Sequence, residues 1–147
     1  MTAQAAQRAQ TVPVTEVGTI VAERDVHITR DSLVRYAGAS GDFNPIHYRD
    51  DVAASVGLPG VLAHGMLTMG LAVQPVSEWL GDRGWVRSYG VRFTRPVVVD
   101  PEQGASVGVV AKVGTVDDEG RPQRIDLTVT AAGQTVLGKA QVTVAFH

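Results

Sequence analysis

Two stretches of this 147-residue chain can share one fold only if one wraps the other. From Gly65 to Leu80 the sequence reads as a helix. Its apolar residues Met66, Leu67, Met69, Leu71, Ala72 and Val73 fall on nearly every side, the pattern of a helix buried all round. From Trp85 onward the period drops to two. Ile125, Leu127, Val129 and Ala131 interleave with Asp126, Thr128 and Thr130. Val136, Ala140, Val142, Val144 and Phe146 interleave with Leu137, Lys139, Gln141, Thr143 and Ala145. That alternation belongs to half-buried antiparallel strands. A sheet with one apolar face and a helix with no polar one satisfy each other when the sheet curls around the helix. Pro75 predicts a kink or a division of that helix, which is also too short to cross a bilayer.

The upstream elements are shorter. Residues 18–26 are β-rich and predict a first strand, and Thr29 stands as an N-cap before a helix over residues 30–37 with apolar positions 33, 34 and 37. Asp50 and Asp51 place acids at the positive end of another short helix that stops at Gly57. The segments 117–120 (Asp-Asp-Glu-Gly) and 132–134 (Ala-Gly-Gln) predict hairpin turns. The expected class is α+β, one strand and then helices followed by four strands. Residues 1–12 are small and polar and predict a disordered tail, with residues 13–147 as a single domain without internal repeats.

Between the short helices lies the stretch richest in chemistry, Tyr36 to His47. It sets Asp42 and His47 five residues apart, a spacing that would put them on different faces of a helix, so a loop must bring them together. Gly41 permits a sharp turn, Pro45 fixes its own φ, and Asn44 before it is pushed toward an extended backbone. An acid and an imidazole facing one pocket are the minimum kit for moving two protons in one reaction. Asp42 could donate a proton at neutral pH only if buried. Taken alone, Asp-x-x-x-x-His is also an ordinary turn, with Asp42 as a cap and His47 incidental.

The full run, Tyr36-x-x-x-Ser40-Gly41-Asp42-x-Asn44-Pro45-Ile46-His47, resembles the hydratase 2 motif of the MaoC-like (R)-specific enoyl-thioester hydratases and dehydratases. Two further blocks, His64-Gly65-Met66-Leu67 and Arg92-Phe93-Thr94-Arg95-Pro96-Val97, resemble that family's later segments in the same order. One departure is visible: the family often follows the third block with a Gly-Asp turn, where this chain has Asp100-Pro101, itself capable of turning. The resemblance implies a hot-dog fold, the antiparallel sheet around a central helix reached above from periodicity. It implies reversible hydration of trans-2-enoyl thioesters, or dehydration of (3R)-hydroxyacyl thioesters, on coenzyme A or acyl carrier protein. It assigns the proton carriers to Asp42 and His47, a positioning amide to Asn44 and an oxyanion-binding amide to Gly65. It further implies a homodimer, or a heterodimer with another hot-dog subunit. Gly65 also suits that role by position, since an N–H at a helix start is unpaired and favours negative charge.

Other candidates carry less. His64 could line the substrate site, although a histidine beside a helix start is more often structural. Arg87, Arg92 and Arg95 lie on or beside one strand and could hold a carrier phosphate, with Arg92 the substrate-contact candidate; a solvated strand face explains them as well. His27 and His147 read as solvated. Ser40 lacks the final Gly of a nucleophile elbow, and no His-x-x-x-His pair exists, so neither a serine hydrolase nor a metal site is expected. No cofactor is expected. Thirteen basic and fifteen acidic residues, a net charge of −2, give no field for gripping nucleic acid. The absence of cysteine removes disulfides and thiolate chemistry and is compatible with the expected cytoplasmic location, and the opening residues lack the apolar core of a secretory signal. Two other classes stay open: a thioesterase on the same fold, and a non-catalytic partner subunit. The intact Asp42–His47 pair with Gly65 argues against the second.

Overall fold

The computed structural model describes residues 11–147. The tail expected over residues 1–12 therefore lies, up to residue 10, outside the described residues. The elements are β1 (Ile20–Ile28), α1 (Arg30–Ser40), a 3₁₀ turn (Pro45–His47), α2 (Asp50–Ser55), α3 (Gly65–Leu80), a second 3₁₀ turn (Gly81–Arg83), β2 (Gly84–Phe93), β3 (Ala105–Val116), β4 (Pro122–Ala131) and β5 (Gln134–Phe146). The strands form one antiparallel sheet in the order β1-β3-β4-β5-β2. Its apolar face packs on α3, with Ala72, Val76 and Leu80 joining Val109, Ile125, Val129 and Val142 in one core. This is the hot-dog arrangement.

Local signals explain most boundaries. Thr29 and Ser32 make a reciprocal capping box at the start of α1: the Ser32 N–H donates to Thr29 Oγ1 at 3.1 Å, and the Thr29 N–H donates to Ser32 Oγ at 3.2 Å. The helix ends at Gly41, whose φ of 78° turns the chain sharply into the Asp42 loop. In place of the missing Gly-Asp turn, Asp100 Oδ1 accepts the N–H groups of Glu102 and Gln103 at 2.8 and 2.7 Å, so a side chain closes the loop. The Arg30 guanidinium donates to the Val99 carbonyl and to both oxygens of Asp50, which joins α1, α2 and the chain after β2.

The helix α3 departs from expectation in two ways. It runs through Pro75 undivided. Burial of Pro75 with Ala72, Val76 and Leu80 against the sheet outweighs the one lost hydrogen bond. The helix is also not buried all round: Met66, Gly70, Gln74 and Ser77, recurring every third or fourth residue, stay exposed, because the sheet covers one side of it. In α1 the same holds on a smaller scale, with Leu33 and Ala37 buried and Val34 exposed.

β5 also breaks its expected alternation. Gly90 pairs with Gln141 but Arg92 pairs with Gly138, so β5 spends one more residue than β2 over the same distance. The pairing with β4 skips likewise, between Leu127↔Ala140 and Val129↔Leu137. The extra residue is a β-bulge that contains Lys139 at φ 43°. Leu137, expected to point outward, is turned inward beside Val136, and both are buried.

Candidate active site

The site lies where the Asp42–His47 loop meets the start of α3. Asn44 caps the 3₁₀ turn, its Oδ1 accepting the Ile46 N–H at 3.3 Å, and Pro45 supplies the first helical residue. This turn places His47 with its ring 11% exposed. His47 Nδ1 lies 2.7 Å from the Leu62 carbonyl. A carbonyl only accepts, so Nδ1 carries the proton and the neutral ring keeps a lone pair on Nε2.

That lone pair faces Asp42. Nε2 and Asp42 Oδ2 stand 3.9 Å apart, too far for a direct hydrogen bond and spaced for one oxygen atom bonded to both. The other carboxylate oxygen accepts the Asn44 N–H at 3.2 Å, and the Asp42 N–H donates to Ser40 Oγ at 3.1 Å. Asn44 thus touches the Asp42 carboxylate through its backbone and the turn that carries His47 through its cap. The Asp42 side chain is 52% exposed, so within this chain the burial expected for it is absent.

His64 completes the cluster. It is the residue before α3, yet its side chain makes no cap bond. Its Nε2 lies 3.2 Å from the Asp42 carbonyl, and its ring stacks on His47 with centroids 3.9 Å apart and an angle of 24°. Tyr36 packs edge-on against it from α1, at 4.7 Å. Burial holds the His64 imidazole below the ordinary histidine range; its bond to the Asp42 carbonyl opposes this, and the adjacent His47 adds to it. Asp42, His47 and His64 bring one potential ligand atom each within 4.8 Å of one another. Stacked rings aim their lone pairs side by side, however, and no point at the roughly 2.0–2.1 Å of a metal–imidazole bond lies in both ring planes.

A cleft of about 290 Å³ opens beside His47 and is lined mainly by apolar atoms. Gly65, the first residue of α3, forms part of its wall, so the free N–H groups of a helix start border the space next to His47. A Cβ at Gly65 would sit 2.8 Å from Phe93 Cε1. The bulge in β5 sends both Val136 and Leu137 to the cleft.

Asp42, Asn44, His47, His64 and Gly65 therefore gather in one place. Arg92 does not. It borders a separate depression on the sheet, with Arg124 and Lys139. The cation beside the cleft is Arg95, accompanied by Phe93 and Thr68. Thr68 falls one helical turn after His64 and was legible only as part of the helix; Phe93 and Arg95 lie in the third motif block. His27 and His147 are exposed. Among the described residues no helix is long and apolar enough to cross a membrane.

Comparison with known proteins bears on the fold and the family. The family model described as "MaoC like domain" matches residues 11–135. The 3-hydroxyacyl-thioester dehydratase X of Mycobacterium tuberculosis is 38% identical over 82 residues, which cover 56% of this chain and 28% of that protein. The 3-hydroxybutyryl-CoA dehydratase of Methylorubrum extorquens is 32% identical over 119 residues, 80% of this chain and 73% of that protein. A solved MaoC-like dehydratase superposes with a TM-score of 0.82 at 36% identity, over 90% of this chain and 41% of that one. The chain spans well under half the length of the first curated relatives it matches.

Proposed function

We propose, from the premise that this chain belongs to the MaoC-like domain family, that it interconverts trans-2-enoyl and (3R)-hydroxyacyl thioesters by adding or removing water. The observation that carries this reading is the bare Nε2 of His47 facing the Asp42 carboxylate across 3.9 Å at the edge of the cleft. One oxygen fits between the two groups, either that of water or that of a substrate β-hydroxyl. In the dehydration direction His47 Nε2 takes the α-proton, while Asp42, protonated once bound substrate and a second subunit cover its half-exposed carboxyl, gives its proton to the departing hydroxyl. The C–O bond breaks, the C2–C3 double bond forms, and water leaves. The dyad then holds the same single proton on the other partner, which is the state that hydration starts from. The Gly65 N–H, at the positive end of α3, donates a hydrogen bond to the thioester oxygen and stabilises the negative charge that builds there.

Phe93, Val136 and Leu137 offer the acyl chain an apolar wall, and Arg95 offers a cation to a phosphate of the carrier, whether coenzyme A or acyl carrier protein. Assembly as a dimer, with a second copy or with another hot-dog subunit, suits a site whose acid is half exposed in the single chain.

The test follows absorbance at the enoyl-thioester band, using crotonyl and long-chain enoyl substrates on both carriers. The expected result is loss of the band on hydration without release of free thiol. Asp42→Asn and His47→Gln should each lower kcat by roughly 10²–10⁴-fold while the protein stays folded. Losses below about tenfold in both variants would remove the dyad from the mechanism. Release of thiol in place of hydration would make the chain a thioesterase.

A further inference from the structure

We propose that His64 is the positioning residue of the dyad: a neutral ring, protonated on Nε2, that pins the Asp42 backbone and lies flat against His47. This rests on the reading of Asp42 and His47 as the proton carriers.

Packing alone does not account for an imidazole here. His64 is 1% exposed, and its Nδ1 is buried with no hydrogen-bond partner among the described residues. A leucine or phenylalanine would fill the space without burying a bare nitrogen, which is costly. Nor does His64 serve the helix it precedes, because its side chain caps nothing. Its directed contacts run instead to the two proton carriers. The Asp42 carbonyl at 3.2 Å only accepts, so Nε2 is protonated, and Nδ1, buried with no acceptor to receive a proton, is the bare nitrogen.

Two consequences follow from that tautomer. The bond to the carbonyl adds a third restraint to Asp42, beside Ser40 on its N–H and Asn44 on its carboxylate. The face-to-face contact fixes the ring plane of His47, and with it the direction of the Nε2 lone pair. When His47 takes a proton, it then faces a neutral π surface, which attracts a cation, and not a second charge. The titratable groups facing His64 are Tyr36 from α1, Asp42 from the loop and His47 from the 3₁₀ turn.

The experiment combines ¹⁵N NMR of the histidine rings with kinetics of three variants. In the unaltered protein His64 should appear as the neutral Nε2–H tautomer between pH 6 and 8. A protonated His64 or an Nδ1–H tautomer in that range overturns the proposal. His64→Gln keeps an N–H near the Asp42 carbonyl, His64→Phe keeps the flat face, and His64→Leu keeps neither. For His64→Leu we expect kcat to fall by roughly 10- to 100-fold, as a displaced catalytic group costs, with KM within about twofold. The acidic limb of the kcat/KM profile should move to lower pH, and the His47 ring signals should shift. His64→Gln and His64→Phe should each recover part of the loss. If all folded variants keep the kcat, the pH profile and the His47 signals of the unaltered protein, His64 is core and the proposal fails. Should His64→Leu unfold, the Gln and Phe variants decide by the same measures. If the unaltered protein does not turn over enoyl thioesters, the functional reading fails by itself; the His47 signals in the variants still report whether His64 holds that ring.

Discussion

At Gly65 a hydrogen stands where any other residue would carry a carbon 2.8 Å from Phe93 Cε1. Phe93 is itself 55% exposed, so its ring can swing outward and the fold can survive a methyl group there. Approach to the Gly65 N–H cannot. Gly65→Ala should therefore lower kcat by roughly tenfold or more, toward the 10²–10³ of a lost oxyanion donor, while the melting temperature moves by a few degrees at most. Kinetics with parallel thermal melts read both; an unfolded Gly65→Ala would make the glycine purely structural. The loop from Tyr36 to His47 was legible as a turn because its turn formers and the candidate pair Asp42 and His47 fall within one short run. Arg92 misled for a local reason: β2 ends at Phe93, so strand parity sends Arg92 to the outer face while the chain leaving the sheet carries Arg95 to the cleft. The contacts of His64 are long-range, and adjacency along the chain says nothing of them.

Among the elements, the β4–β5 hairpin holds a conformational cost that one substitution removes. Ala132 and Gly133 form a two-residue loop with φ of 49° and 73°, the signature of a type I′ turn. Glycine accepts that geometry; an alanine in the left-handed region costs about 1–2 kcal/mol. Ala132→Asn creates the Asn-Gly pair such turns prefer and should stabilise the protein by about 0.5–1 kcal/mol, read as a higher denaturant midpoint at unchanged slope. A lower midpoint would show that the left-handed Ala132 is held for another reason. Strands, hairpin turns and α3 itself could be read from periodicity, which reports how a segment meets its neighbours on average. The bulge in β5 could not, because a single extra residue leaves composition untouched and reveals itself only in pairing with β2 and β4. The exposed stripe of α3 was hidden likewise, since Met66 and Gly70 are apolar or small whether or not anything covers them.

For the whole molecule, β1 and β2 are the edge strands of the sheet among the described residues, and Phe43, Met66 and Phe93 stand exposed near the site at 59%, 58% and 55%. Open edges and apolar surface together favour pairing. Light scattering should therefore find the active species at about twice 15.5 kDa, or in a stoichiometric complex with a second hot-dog chain. Activity in a species of single-chain mass would refute this.

The strand order also sets a timetable for synthesis. β1 ends at Ile28, but its hydrogen-bonding partner β3 begins only at Ala105, and β2 pairs with β5, the latest of the five strands. At roughly 5–20 residues per second, β1 waits on the order of four to fifteen seconds on the ribosome without a neighbour. Meanwhile α3 emerges with its sheet-facing side bare. The meander β3–β4–β5 closes by short turns, and while β1 can dock once β3 is made, β2 must wait for β5. In a nascent chain of this design the segment that bears Asp42, His47 and His64 is exposed longest, and His47 meets its cleft neighbours Val136 and Leu137 only once β5 has been made.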